Sequence, residues 1–203
     1  MGKVDEGSPT LWNQYQFVNT YGNAFYHQFN THEVPRTISD SYEAPIYIAS
    51  VAVGNNPLVV GQKAATIGNY HGIWKPLLTQ QAPGYFEGDV ADVLAEPGSV
   101  ELSRVFREYL KQFVHSGELA AAGYIEWPRW DAESSQQLVF DASPNNAVIY
   151  AESNTLTSAD ILSLMDSDRS LLEEDKQHVI QTILNGRWFS GPLDSHYKYA
   201  SLW

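Results

Sequence analysis

A mixed α/β fold with an incomplete sheet is the class this sequence predicts, and three observations carry it. Val100 to His115 holds Leu102, Val105, Phe106, Tyr109, Leu110, Phe113 and Val114 at the three-and-four spacing of a one-faced helix. Gln136–Phe140 and Ala147–Tyr150 read as two short strands about the turn Ser143-Pro144-Asn145-Asn146. The order of elements is a strand or two, a long loop region, a helix, two short strands and then helices. It lacks the βαβ alternation of a self-sufficient layered domain.

Along the chain, Leu11 to Tyr21 predicts a short helix, and the aromatic run Asn23 to Asn30 a buried strand. Pro35, Ser39, Asp40 and Ser41 make Thr31 to Pro45 a loop. Ile46 to Val53 is apolar and partly β-branched, a strand or a buried helical turn, ended by Asn55-Asn56-Pro57. For the helix from Val100, Ser99 is the expected N-cap, with Glu101 at the positive end of the dipole and Gly117 as terminator. Thr157-x-x-Asp160 and Ser170-x-x-Glu173 are capping-box patterns. The second opens a helix to about Leu184, with Leu172, Val179, Ile180, Ile183 and Leu184 inward and Asn185-Gly186 as its stop. The tail, Trp188 to Trp203, reads as irregular structure.

Composition removes several function classes. The 203 residues hold 12 Lys+Arg against 24 Asp+Glu, a net charge of −12. Such a surface repels phosphates, so no nucleic-acid partner is expected. The absence of cysteine excludes disulfides, thiolate metal sites and cysteine nucleophiles. No apolar run approaches the roughly 20 residues of a membrane span, and MGKVDEGSPT has no apolar signal-peptide core. The compartment is left open.

Neither G-x-S-x-G, G-x-G-x-x-G nor a phosphate-binding loop occurs. Six histidines, at 27, 32, 71, 115, 178 and 196, are the acid–base candidates. On a continuing strand His27 and His32 would face opposite sides, so no shared metal is expected. His115 closes a helix, where a cation suits the dipole, and His178 lies four residues after Glu174 as a solvated pair. Adjacent Asp194-Ser195-His196 cannot converge on one reacting atom and reads as loop. His71 differs: Gly68 and Gly72 flank it, and such glycines permit a tight turn that lifts an imidazole toward a cleft.

Leu102-Ser103-Arg104 through Phe113, Gly117, Glu126-Trp127-Pro128-Arg129-Trp130-Asp131 and Leu138-Val139-Phe140 together resemble the C-terminal end of the type-B carboxylesterase/lipase family. These are serine esterases of the α/β-hydrolase fold. Their pattern there is a helix ending near Asn-Phe-Ala-x-x-Gly-Asp-Pro, then Trp-Pro-x-Tyr, then Met-Val-Phe. A His-Gly-x-Asp/Glu-Ile-Pro-Phe-type loop lies upstream; here His71 precedes Trp127 by 56 residues, and Pro76 matches the loop proline. Ala24–Phe29 looks like the family's aromatic strand. Trp74 stands where an acidic residue is common, and Ser116-Gly117-Glu118 lacks the Asp-Pro.

The resemblance covers about residues 23 to 150. It implies the last strands and helices of an α/β-hydrolase fold with an incomplete central sheet, residues 1–22 forming an N-terminal segment of open register and 23–203 the C-terminal portion of the domain. It implies His71 as general base. Asp5-Glu6-Gly7-Ser8 matches the family's acid motif, making Glu6 the candidate acid, although only 18 residues separate Glu6 from Ala24, where the family has a long helical stretch. The implied activity is carboxylic ester hydrolysis on a small-molecule or lipid ester, without metal or cofactor. The nucleophile region is missing from this chain, so the chain by itself is expected to be inactive; full-length relatives are often secreted. The alternative is a non-catalytic remnant that binds a small ligand or partner. Either way, apolar faces normally covered by the missing sheet predict self-association.

Overall fold

The aromatic run near the N-terminus is helical. In a computed structural model that describes residues 9–61, 68–69, 72–79 and 96–198, α1 spans Pro9–Gln28, passes through a π-turn at Phe29–Glu33 and continues as α2, Val34–Ser39. The expected strand Asn23–Asn30 and the expected loop from Thr31 are therefore both corrected. Phe17, Tyr21 and Phe25 are buried at four-residue spacing, so the aromatic stretch extends the buried face of Phe17 and Tyr21. Pro35 is buried and lies just past the π-turn. Asn30, Thr31 and Thr37 side chains donate to the carbonyls of Tyr26, His27 and Glu33, each four residues back.

The chain divides into two compact units, one of residues 43–153 and one of the segments 1–42 and 154–203. The first is built on a three-stranded sheet ordered β1 (Ala49–Val51), β2 (Gln136–Ala142), β3 (Ala147–Ser153). β1 runs parallel to β2 with Ala49 opposite Leu138, and β2 antiparallel to β3 with Val139 opposite Tyr150. The fold is thus mixed α/β with a small sheet, as the sequence predicts at that level. Between β1 and β2 lie α3 (Pro57–Val60), α4 (Trp74–Thr79) and α5 (Pro97–Ser116). Leu102, Val105, Phe106 and Tyr109 of α5 are fully or almost fully buried with Leu138 and Phe140 of β2, and Gly117 ends the helix at φ 76°. The stripe does not continue: Phe113 is 48% and Val114 80% exposed. Ser99 is not the N-cap. Pro97, whose fixed φ suits a first helical residue, starts the helix after Glu96 and leaves Ser99 buried in the first turn. Gly98 is required there, since a Cβ would lie 1.9 Å from the Ser143 carbonyl oxygen.

The other unit is completed by α6 (Ser158–Ser167), α7 (Glu173–Val179) with a π-turn at Ile180–Leu184, and α8 (Gly191–Tyr197). α8 replaces the irregular tail expected from the sequence; Pro192 lies in its first turn. The Thr157/Asp160 capping box forms. The Ser170/Glu173 one does not, because Leu172 is the N-cap of α7 and the Ser170 N–H instead donates to Asp168 at 2.6 Å. Leu172 and Ile183 are exposed, whereas Val179, Ile180 and Leu184 join Phe17, Tyr21, Phe25, Ile161 and Met165 in the core. No described helix is long and apolar enough to cross a membrane.

A polar knot sits beside that core. Lys176 is only 3% exposed, yet its ammonium donates to the carbonyls of Met165 (3.1 Å) and Asp168 (2.7 Å) at the end of α6. Burial pulls the Asp168 carboxyl up, but hydrogen bonds from Ser170 and Tyr21 and the Lys176 charge outweigh it and hold the group below its ordinary value. Burial, then the bond to Asp168, push the Tyr21 phenol up to about 12. Asp168, being depressed, stabilises the fold above about pH 4 and loses that effect as pH falls through its folded pKa. Tyr21, being raised, stabilises it below about pH 10 and loses that effect as pH climbs toward its folded value. Urea midpoints of the wild type and Asp168→Asn should therefore stay apart at about pH 6 and draw together as the pH falls below about 4. A gap independent of pH would contradict this linkage.

Candidate active site

The loop expected to carry the general base leaves the carboxyl end of β1. After Val51 the Ala52 N–H still donates to the Phe140 carbonyl at 2.8 Å, and Val53–Asn55 then forms a 3₁₀ turn. Three asparagines organise the chain around this turn. Asn56 caps α3 by accepting from the Leu58 N–H at 3.0 Å, and its amide donates to the Ala142 carbonyl at 2.8 Å, tying the turn to the end of β2. Asn69 accepts from the Gly54 N–H at 2.7 Å, while its own N–H donates to the Asn55 side chain at 3.2 Å. This reciprocal pair holds Gly68–Asn69 against the turn. Gly54 makes the approach possible, since a Cβ would meet Asn69 Oδ1 at 2.4 Å and the Gly68 carbonyl oxygen at 2.6 Å.

Beyond Gly72 the chain is held just as firmly. Lys75 donates to the Gly72 carbonyl at 3.1 Å as α4 begins, and Leu77 is buried. The Trp74 ring lies 5.1 Å from Phe106 and 6.5 Å from Phe140. The Ser103 hydroxyl of α5 donates to the Leu77 carbonyl. Pro76, expected in an open loop, is a buried residue inside α4. His71 itself, and Glu6, lie outside the described residues.

The Trp127-Pro128 segment has a structural task. The indole N–H donates to the Ile48 carbonyl at 2.9 Å, the Trp127 N–H to Leu119 at 3.2 Å, and the Trp130 N–H to Ile46 at 2.8 Å. It straps the entry to β1, and its ring packs edge-on to Tyr109 and Phe140. Nearby groups with shifted proton affinity are tethers. The Ala147 N–H and then the Tyr124 hydroxyl hold Glu101 below its usual range, joining α5 to the start of β3. The Ser134 hydroxyl and N–H lower Asp131 in a local turn.

The remaining histidine readings sort simply. His27 lies on α1, not on a strand; its Nδ1 meets the Asn154 amide at 3.2 Å. His196 lies on α8, not in a loop, and its Nε2 meets Asp166 at 3.0 Å on the surface. Its sequence neighbours look elsewhere, Asp194 to the Gly186 N–H and Ser190, and Ser195 to the Gly191 carbonyl. No group of three or more His, Asp or Glu among the described residues is arranged to hold a metal ion. Sequence reasoning missed Asn55, Asn56 and Asn69. Asn55-Asn56-Pro57 was legible as a stop signal, but an amide's partner fourteen residues away is not encoded in spacing.

What the geometry defines is a mixed α/β protein in which Asn69 is tethered to the turn at the carboxyl end of a parallel strand. Comparison with known protein families, with curated proteins and with solved structures finds no match for the chain.

Proposed function

We propose that the sheet unit is the histidine-bearing C-terminal portion of a serine carboxylic-ester hydrolase of the type-B carboxylesterase/lipase kind, contributing the last strands of an α/β-hydrolase sheet. The observation that carries this reading is the Asn69 tether. In open α/β sheets, reacting groups gather outside the carboxyl ends of the parallel strands, and Asn69, two residues before His71, is bonded to the turn at that end of β1. The motif likeness from Leu102 to Phe140 supports it further. The likeness at Ala24–Phe29 does not, because that stretch is helical.

In this mechanism a serine oxygen attacks the ester carbonyl while His71 takes its proton. That proton goes to the departing alcohol, and water then releases the acid from the acyl-serine by the same base. Glu6, in the Asp5-Glu6-Gly7-Ser8 motif, is the proposed triad acid. The chain contains no G-x-S-x-G elbow, so the nucleophile and its oxyanion donors come from polypeptide outside it. The substrate is a carboxylic ester of a small alcohol or a lipid.

Two measurements test the division of labour. A fluorophosphonate probe should leave every serine of this chain unlabelled, and stoichiometric labelling of one would overturn the proposal. The coding region on the 5′ side of the Met1 codon should continue as an open frame containing G-x-S-x-G. A stop codon followed by a promoter there would count against the esterase and for the binding-protein alternative.

A further inference from the structure

The unit formed by α1, α2 and α6–α8 holds a cavity of about 430 Å³. That lies within the roughly 300–1,000 Å³ of small-molecule pockets. It opens beside the π-turn of the first helix. There the Val34 N–H bonds to the Phe29 carbonyl, one residue beyond the α-helical step, and the first and last residues of the turn, Phe29 and Glu33, both line the wall. π-turns of this kind recur at functional sites.

Two features of the wall point to a ligand chemistry. The first is aromatic. Trp188 is 64% exposed although Tyr26, Phe29 and Phe189 hold it edge-to-face at 5.1–5.3 Å. Ile38, 43% exposed, continues the apolar wall. The second is a single charge: among the described residues Glu33 is the one ionisable group on the wall, and no basic residue lines it. Its carboxylate is oriented from behind. Gln28, 4% exposed, donates to Glu33 Oε1 at 2.9 Å and accepts from the Ser158 hydroxyl at 3.2 Å. Among the described residues nothing bonds the other carboxylate oxygen. Aromatic rings attract cations through their faces, and a net charge of −12 raises the local concentration of cations around the whole chain.

We propose that this cavity binds a small organic cation with an apolar or aryl body, its ammonium on Glu33 and its body against Phe29 and Trp188. The inference does not rest on the esterase reading, since none of these residues belongs to the sheet unit. Calorimetric titration of the full chain with phenethylammonium and with neutral 2-phenylethanol tests it. At low salt the ammonium should bind at least about threefold more tightly than the alcohol. Glu33→Gln should remove most of that preference while leaving alcohol binding unchanged, and Trp188→Ala should weaken both ligands. Raising the salt concentration on the unmodified chain should shrink the preference, a check that does not depend on any variant folding. Equal binding of the two ligands, a preference undiminished by Glu33→Gln or by added salt, or no binding of phenethylammonium at about millimolar concentration would overturn the proposal.

Discussion

Phe140→Ala is expected to remove about 3–5 kcal/mol of folding stability. The ring is fully buried on β2 and is met by four others, Phe106 at 5.0 Å, Trp127 at 5.3 Å, Tyr109 at 5.8 Å and Trp74 at 6.5 Å. Truncation opens a cavity bounded by rigid rings that cannot collapse into it, and it removes edge-to-face terms of about 0.5–1.5 kcal/mol each beyond the buried area. Set against a total of about 5–15 kcal/mol for a typical domain, this loss takes away about a fifth or more. Phe140→Leu keeps much of the volume and should cost far less. Urea titrations followed by far-ultraviolet circular dichroism give both values. An unchanged midpoint for Phe140→Ala would mean that the core is not centred on this ring.

His71→Ala, made in a polypeptide that joins this chain to a G-x-S-x-G segment, should lower kcat for p-nitrophenyl ester hydrolysis by about a thousandfold or more. That corresponds to about 4 kcal/mol of transition-state stabilisation. KM should change little, because the imidazole acts on the proton in flight rather than on the bound ester. Added imidazole should restore part of the turnover in His71→Ala, which a merely structural histidine would not allow. Activity that survives the substitution would assign His71 to the loop's architecture and withdraw the esterase proposal.

The helix at α5 was legible because its apolar residues repeat over four turns, and its end because Gly117 takes a left-handed conformation. The hairpin β2–β3 was legible from its turn residues, and α6 from Thr157 and Asp160. Asn23–Asn30 misleads for a definable reason. Eight residues, all but Ala24 aromatic or polar, fit either period, and only their phase relative to Phe17 and Tyr21 decides for the helix. At the candidate site, His71 and its flanking glycines stood out in the sequence, whereas the Asn69–Gly54 tether did not.

Local chemistry by itself therefore determined the end of α5 at Gly117, the start of α6 at Thr157, the hairpin and the α5 stripe from Leu102 to Tyr109, since caps, turns and one-sided patterns act through contacts a few residues apart. The tertiary structure decided what depends on residues far apart in the chain. It paired Ala49 with Leu138 in a parallel ladder, drew 1–42 and 154–203 into one unit, and placed the Lys176 ammonium on the carbonyls ending α6. It also brought Glu33 and Trp188, more than 150 positions apart, onto one cavity wall. The physical reason is that a buried polar group or an open strand edge must find a partner somewhere, but the demand leaves no periodic trace saying where that partner lies.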